Sequence, residues 1–166
     1  MELQVRDEQG AVLPPEEAGL VFVRGPQVSG EYQEQGSQLD ADGWFPTKDR
    51  GYLDAEGYLY LDGRDDDVIV RGGENISPGE IEDVLLTHPA VTDVAVVAMP
   101  DEQWGEAVAA AVVCKPGHTV SDAELQARVR EHLRSSRVPQ RIVFKDALPY
   151  TETGKLLRRV IRAEFA

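Results

Sequence analysis

The chain has 166 residues, a formal net charge of −13, and 42% hydrophobic against 28% charged residues, enough for one domain or two small ones with a buried core. So acidic a balance argues against a protein that coats DNA or RNA, which needs a basic face to neutralise phosphates. The single cysteine, Cys114, excludes an internal disulfide and a Cys-rich metal site, and the short apolar runs and the start Met1-Glu2-Leu3-Gln4-Val5 point to a cytoplasmic protein with no transmembrane segment.

Residues 1 to about 63 read as short strands broken by turns. Leu3-Gln4-Val5 precedes Asp7-Glu8-Gln9-Gly10, Leu20-Val21-Phe22-Val23 precedes Arg24-Gly25-Pro26, and Tyr58-Leu59-Tyr60-Leu61 precedes Asp62-Gly63. The pattern suggests a meander or partial barrel. Asp65, Asp66 and Asp67 then form a polar triplet before Val68-Ile69-Val70, a plausible boundary between a β-rich part, 1–65, and a second part, 66–166.

Ser77-Pro78-Gly79-Glu80 is a helix start in which Ser77 accepts from free amides and Glu80 reaches back. Ile81, Val84, Leu85 and His88 follow at helical spacing until Pro89. Val94 to Met99 and Ala107 to Val113 read as core strands, with Cys114 a buried strand thiol. A second capping box, Ser121 to Glu124, opens a helix burying Leu125, Val129 and Leu133, and Ile142-Val143-Phe144 reads as a third strand. The fold class is α+β: a strand-rich partial barrel, then a small α+β lid domain with a central antiparallel sheet.

Charge is unevenly spread, with 15 acids against 5 bases in residues 1–66 and 10 bases against 4 acids in residues 128–166. A solvated helix face or a polyanion site would each explain the cationic end. His88, His118 and His132 stand apart in the sequence, and neither a metal ligand nor an acid-base role is assigned to them.

The run from Gly63-Arg64-Asp65-Asp66-Asp67 through Val70-Arg71-Gly72-Gly73-Glu74 to Ser77-Pro78-Gly79-Glu80 is an arginine, an acidic linker, a strand, a two-glycine loop and a capped helix. Its glycine pair serves either a tight turn or close approach of a ligand. The order of these parts resembles the hinge segment of the adenylate-forming superfamily: acyl-CoA synthetases, peptide-synthetase adenylation domains and beetle luciferases. Asp42-Gly43-Trp44-Phe45-Pro46-Thr47-Lys48-Asp49 and Leu148-Pro149-Tyr150-Thr151-Glu152-Thr153-Gly154-Lys155 resemble two more of its motifs. In the first, Lys48 stands where the family usually has Gly or Ser.

The resemblance spans essentially the whole chain and is strongest to acyl-CoA synthetases, including those of fatty acid metabolism. It implies that residues 1–65 end a large amino-terminal domain and that 66–166 are the mobile carboxyl-terminal domain. Asp49 then takes the place of the carboxylate on the ATP ribose, Arg64 of an arginine on the nucleotide, Lys155 of the catalytic lysine and Asp66 of the hinge. Gly72 and Gly73 would line a pantetheine tunnel and Trp104 would stack on the adenine of CoA. Arg128, Arg134, Arg137 and Arg141 become candidates for the CoA phosphates. ATP and CoA are the implied substrates, with Mg²⁺ held mainly by phosphates and by residues outside this segment.

The family's phosphate loop and acyl pocket do not occur in the sequence, so the expectation is a ligase portion that needs an upstream domain to hold the carboxylic acid. An amino-acid adenylation domain, a luciferase-like oxygenase and a non-catalytic binding module that kept the fold are the alternatives.

Overall fold

In the computed structural model the chain forms two compact units, Met1–Asp66 and Asp67–Ala166. Residues 1–29, 31–32 and 36–166 are described, the side chains of 31–32 and 36–37 excepted.

The first unit is built on β1 (Glu2–Arg6), β2 (Gly19–Arg24), the two-residue pair β3 (Glu31–Tyr32) and β4 (Gly36–Ser37), β5 (Phe45–Leu53) and β6 (Leu59–Arg64). Its main sheet has the order β1-β2-β5-β6, antiparallel throughout, and among the described residues it stays open and closes no barrel. The expected strands at 3–5 and 20–23 are present. β5 was not anticipated, and the turn expected at Asp62-Gly63 lies inside β6, where the ladder slips by one residue opposite Arg50 and Gly51. Few side chains are buried here. Among the described residues Val5, Val21 and Trp44 are the buried hydrophobic ones, and Trp44 lies under two guanidinium groups, Arg24 at 4.5 Å and Arg6 at 5.1 Å from its ring centre.

The acidic triplet forms a short 3-10 turn, Asp65–Asp67. Beyond it come β7 (Ile69–Arg71), β8 (Glu74–Ile76), α1 (Pro78–Leu86), β9 (Val91–Asp101), β10 (Gly105–Cys114), α2 (Asp122–His132), β11 (Arg141–Phe144) and α3 (Arg158–Ala163). β9 and β10 pair antiparallel along nearly their whole lengths. β11 runs parallel to β10 at Ala109–Val112, and β7 meets β10 at Gly105. The sheet is therefore antiparallel at its centre with one parallel member.

Both faces of the β9–β10 pair are covered. Val94, Val96, Ala98, Val108, Ala110 and Val112 point into a cluster with Ile81 and Leu85 of α1 and Leu125 and Val129 of α2. The alternate residues Ala95, Val97, Ala109, Ala111 and Val113 point the other way, against Leu148, Ile161 and Phe165. A strand buried on both sides loses the in-out alternation, which is why these two strands are near-continuous apolar runs in the sequence.

Local chemistry explains the ends of the helices. α2 begins with the capping box, Glu124 N–H donating to Ser121 Oγ at 3.3 Å and Ser121 N–H to Glu124 Oε2 at 2.9 Å. The Ser121 N–H, and the Ser121 hydroxyl donating to the same oxygen at 2.8 Å, hold the Glu124 carboxyl below its ordinary pKa. α1 departs from expectation: Ser77 is the N-cap residue, but its side chain makes no capping bond, and Glu80 accepts from Arg137 instead of reaching back. Leu133 ends α2 and is only partly buried, and Cys114 is half-buried at the end of β10. None of the described helices is long and apolar enough to cross a membrane.

Candidate active site

In the first unit the candidate residues sit on a bulge. Leu20 pairs with Arg50 and Phe22 with Pro46, which leaves three residues of β5 opposite one of β2. Thr47 fixes the excess: its hydroxyl donates to the Val21 carbonyl at 2.9 Å and accepts from the Asp49 N–H at 3.1 Å. Lys48 takes a left-handed backbone, φ 63°. A residue with a side chain pays roughly 1–2 kcal/mol for that conformation, which glycine adopts without strain. Lys48 keeps the turn none the less, and its ammonium lies 3.9 Å from Asp66.

The bulge brings Asp49 opposite Arg64 across the β5–β6 ladder, with Arg64 Nη1 3.9 Å from Asp49 Oδ1. Both side chains are partly exposed, 33% for Asp49 and 41% for Arg64. A carboxylate that accepts from two hydroxyls, beside a cation, is a fitting partner for a ribose phosphate. Arg64 thus does not pair with the adjacent aspartates, because Arg50 takes Asp65 at 3.3 Å.

In the second unit Gly72 and Gly73 form a two-residue hairpin turn between β7 and β8, closed by the pair Arg71 and Glu74. Both have positive φ, 57° and 82°, the backbone of a type I′ turn, so the tight-turn demand on glycine is real. Trp104 lies against this turn. Gly72 N–H donates to the Trp104 carbonyl at 2.9 Å, a Cβ on Gly72 would stand 2.7 Å from the indole, and the Arg71 guanidinium lies 4.8 Å from the ring centre. The indole remains 41% exposed.

Lys155 closes a second, smaller hairpin. Tyr150 bridges Leu156, Thr151 N–H donates to the Lys155 carbonyl at 2.8 Å, Lys155 N–H donates to Thr151 Oγ1 at 3.0 Å, and Gly154 turns the chain with φ 82°. The stem is tied down by Tyr150, whose hydroxyl donates to Asp93 Oδ2 at 2.6 Å. That bond, helped by partial burial, pushes the phenol up to about 12. The Lys155 side chain is exposed, and among the described residues no carboxylate pairs with its ammonium.

The four arginines named for polyanion binding are not equivalent. Arg137, 14% exposed, is committed to Glu74 and Glu80. Arg128 donates to Thr87 Oγ1 and Arg141 stacks over Phe165, whereas Arg134 is 84% exposed with Glu74 at 3.8 Å. Sequence reasoning missed Arg158, Glu82 and Asp67, which form a charged cluster inside the second unit. Among the described residues no group of three His, Cys, Asp or Glu side chains is arranged to hold a metal ion.

The strand pair buried between helices and followed by a lysine hairpin is the architecture of a domain found at the end of adenylating enzymes, and residues 80–155 match the family AMP-binding enzyme C-terminal domain. That match takes in most of the second unit, and along nearly its whole length the chain is similar to CoA ligases and to an amide bond synthetase. It is 40% identical to an oxalate–CoA ligase of Arabidopsis thaliana over 99% of its own length and 32% of the relative's. Among solved structures it resembles the amide bond synthetase McbA from Marinactinospora thermotolerans, with a TM-score of 0.91, 38% identity and coverage of 99% of this chain and 35% of that one. The o-succinylbenzoate CoA synthetase MenE from Bacillus subtilis, solved with its acyl-adenylate intermediate, gives a TM-score of 0.87 and 36% identity, over 97% of this chain and 33% of that one. The chain therefore spans about a third of the length of these relatives.

Proposed function

We propose that the chain is the carboxyl-terminal portion of an ATP-dependent acid–thiol ligase, residues 1–65 completing a larger amino-terminal domain and 66–166 forming its mobile lid. In the first step a carboxylate attacks the α-phosphate of ATP, pyrophosphate leaves and acyl-AMP forms. In the second the CoA sulfur attacks the acyl carbon, the thiol proton is released and AMP departs.

Each candidate residue has a task in that scheme. Asp49 accepts from the ribose hydroxyls and Arg64 supplies positive charge beside it. Lys155 meets the anionic oxygens gathered at the α-phosphate as the acyl oxygen approaches; a preorganised donor of this kind is typically worth roughly 3–4 kcal/mol. Asp66, exposed in the 3-10 turn, is the pivot between the two steps. Gly72, Gly73 and Trp104 face the thiol arm and the adenine of CoA. Mg²⁺ would travel with the ATP phosphates, and no step here is assigned to it.

The observation that carries the reading is Lys155: an exposed cation, paired with no carboxylate among the described residues, on a hydrogen-bonded hairpin at the end of the matched domain. The relatives' names concern oxalate and o-succinylbenzoate, so the acid is better sought among small di- and aromatic acids than among fatty acids. The likeness to an amide bond synthetase favours a second reading in which an amine replaces CoA as acceptor after the same adenylation.

The test uses the full-length ligase. Lys155→Ala is expected to lower acid-dependent pyrophosphate exchange by at least about a hundredfold while sparing thioester formation from supplied acyl-AMP. Asp66→Pro is expected to do the reverse. Equal loss of both steps in either variant overturns that residue's role, and turnover with an amine but not CoA selects the second reading.

A further inference from the structure

Arg158 is three residues past Lys155 and opens α3, yet its side chain runs inward and is 22% exposed. Its Nη1 and Nη2 donate to the two oxygens of Glu82 on α1, the Nη2 to Oε2 bond being 3.0 Å. Nη1 also donates to the Val96 carbonyl at 2.8 Å, and Nε lies 3.4 Å from Asp67 Oδ2. Glu82 in turn accepts from the Val96 N–H at 2.8 Å. One guanidinium thus joins a helix, a strand edge and the last residue of the acidic turn. Burial works against its charge, but Glu82 and Asp67 outweigh that and hold it above its ordinary pKa.

We propose that Arg158 is a positioning residue: by clasping Glu82, Val96 and Asp67 together it sets the Lys155 hairpin and the residue that follows the pivot in one rigid frame. This rests on the ligase reading above. A swivelling domain delivers its lysine accurately only if no slack separates the pivot from the side chain it carries. Asp67 stands next to Asp66, and Arg158 is joined to Lys155 by the two residues Leu156 and Leu157. Leu156 is half of the hairpin bridge and Leu157 N–H donates to the Pro149 carbonyl at 2.9 Å. A rotation at residue 66 is therefore passed to Lys155 through a clasp of charge-assisted bonds as well as through the chain. A shift of even 1 Å at a reacting group costs up to about a hundredfold in rate.

Lysine at 158 keeps the charge and reaches one partner, but it lacks the fork that holds several at once. Asp67→Asn leaves the Arg158–Glu82 pair intact and removes only the negative charge that the turn offers to Arg158. In the full-length ligase Arg158→Lys is expected to slow adenylation by about tenfold or more and Asp67→Asn by about threefold. For both, the KM for ATP and the thioester step from supplied acyl-AMP should stay within about twofold. Hydrogen exchange supplies a readout that does not depend on activity: in Arg158→Lys the amides of residues 66–70 and 151–157 should lose protection together.

Adenylation within twofold of wild type in both variants, or both half-reactions falling in step with the melting temperature, overturns the positioning role. Loss of protection at 151–157 alone overturns the clasp. A wild-type parent that exchanges no pyrophosphate defeats the ligase reading instead, and the exchange pattern still decides whether the two segments are coupled.

Discussion

The two units of this chain are held together by different physics. Residues 67–166 bury two apolar clusters, one on each face of β9 and β10, whereas the described residues of 1–66 bury Val5, Val21 and Trp44 and leave Val12, Tyr58 and Leu61 largely exposed. The second unit has the core of an independent domain; the first leans on guanidinium–ring stacking and on turns fixed by Asp7, Asp40 and Asp54. Hydrophobic burial sets the dominant favourable term in folding. The lesson is that a candidate site on the first unit is shaped by backbone geometry, and one on the second by packing.

Mutations sharpen that contrast. The largest effect is expected at Ile81, fully buried between α1 and the sheet: Ile81→Ala should cost about 2–5 kcal/mol in urea unfolding of the chain, and a loss below about 1 kcal/mol would break the picture of a dense core. Next comes Lys48→Gly, which relieves the left-handed backbone but gains freedom in the unfolded chain; a net stabilisation of about 0.5–1 kcal/mol is expected. A destabilised variant would show that the Lys48–Asp66 pair outweighs the strain. The smallest effect belongs to Tyr150. Its folded pKa of about 12 lies above the ordinary 10, so the neutral form is favoured in the folded state. The stability it contributes is complete below pH 10 and is lost as pH rises from 10 towards 12. With Tyr150 nearly half exposed, solvent screening keeps the effect small. Tyr150→Phe should flatten that alkaline limb in pH-dependent unfolding, and an unchanged limb would assign it to another group.

The same contrast governs what the sequence disclosed. β9, β10, α1 and α2 were legible because long apolar runs and helical spacing are local signals. α3 was hidden by its cationic residues: Arg158, Arg159 and Arg162 read as a solvated face, although Ile161 and Phe165, four residues apart, close the second cluster. β5 was hidden because Pro46, Lys48 and Gly51 are poor strand formers, and bulges rather than alternation carry it through. Motif resemblance named Asp49 and Arg64 separately. Their pairing depends on two register slips that no periodicity reveals. The clasp at Arg158 was equally out of reach, since Glu82 and Asp67 lie 76 and 91 positions away in sequence and the burial of a guanidinium follows only from the assembled fold.

The grip of Glu82 and Arg158 on Val96 has one more effect. They occupy the N–H and C=O of a residue on the side of β9 turned away from β10, where bare peptide groups would template another chain. With Val96 itself fully buried, the protein's own side chains close β9 at that point, a safeguard against strand-by-strand stacking into fibrils.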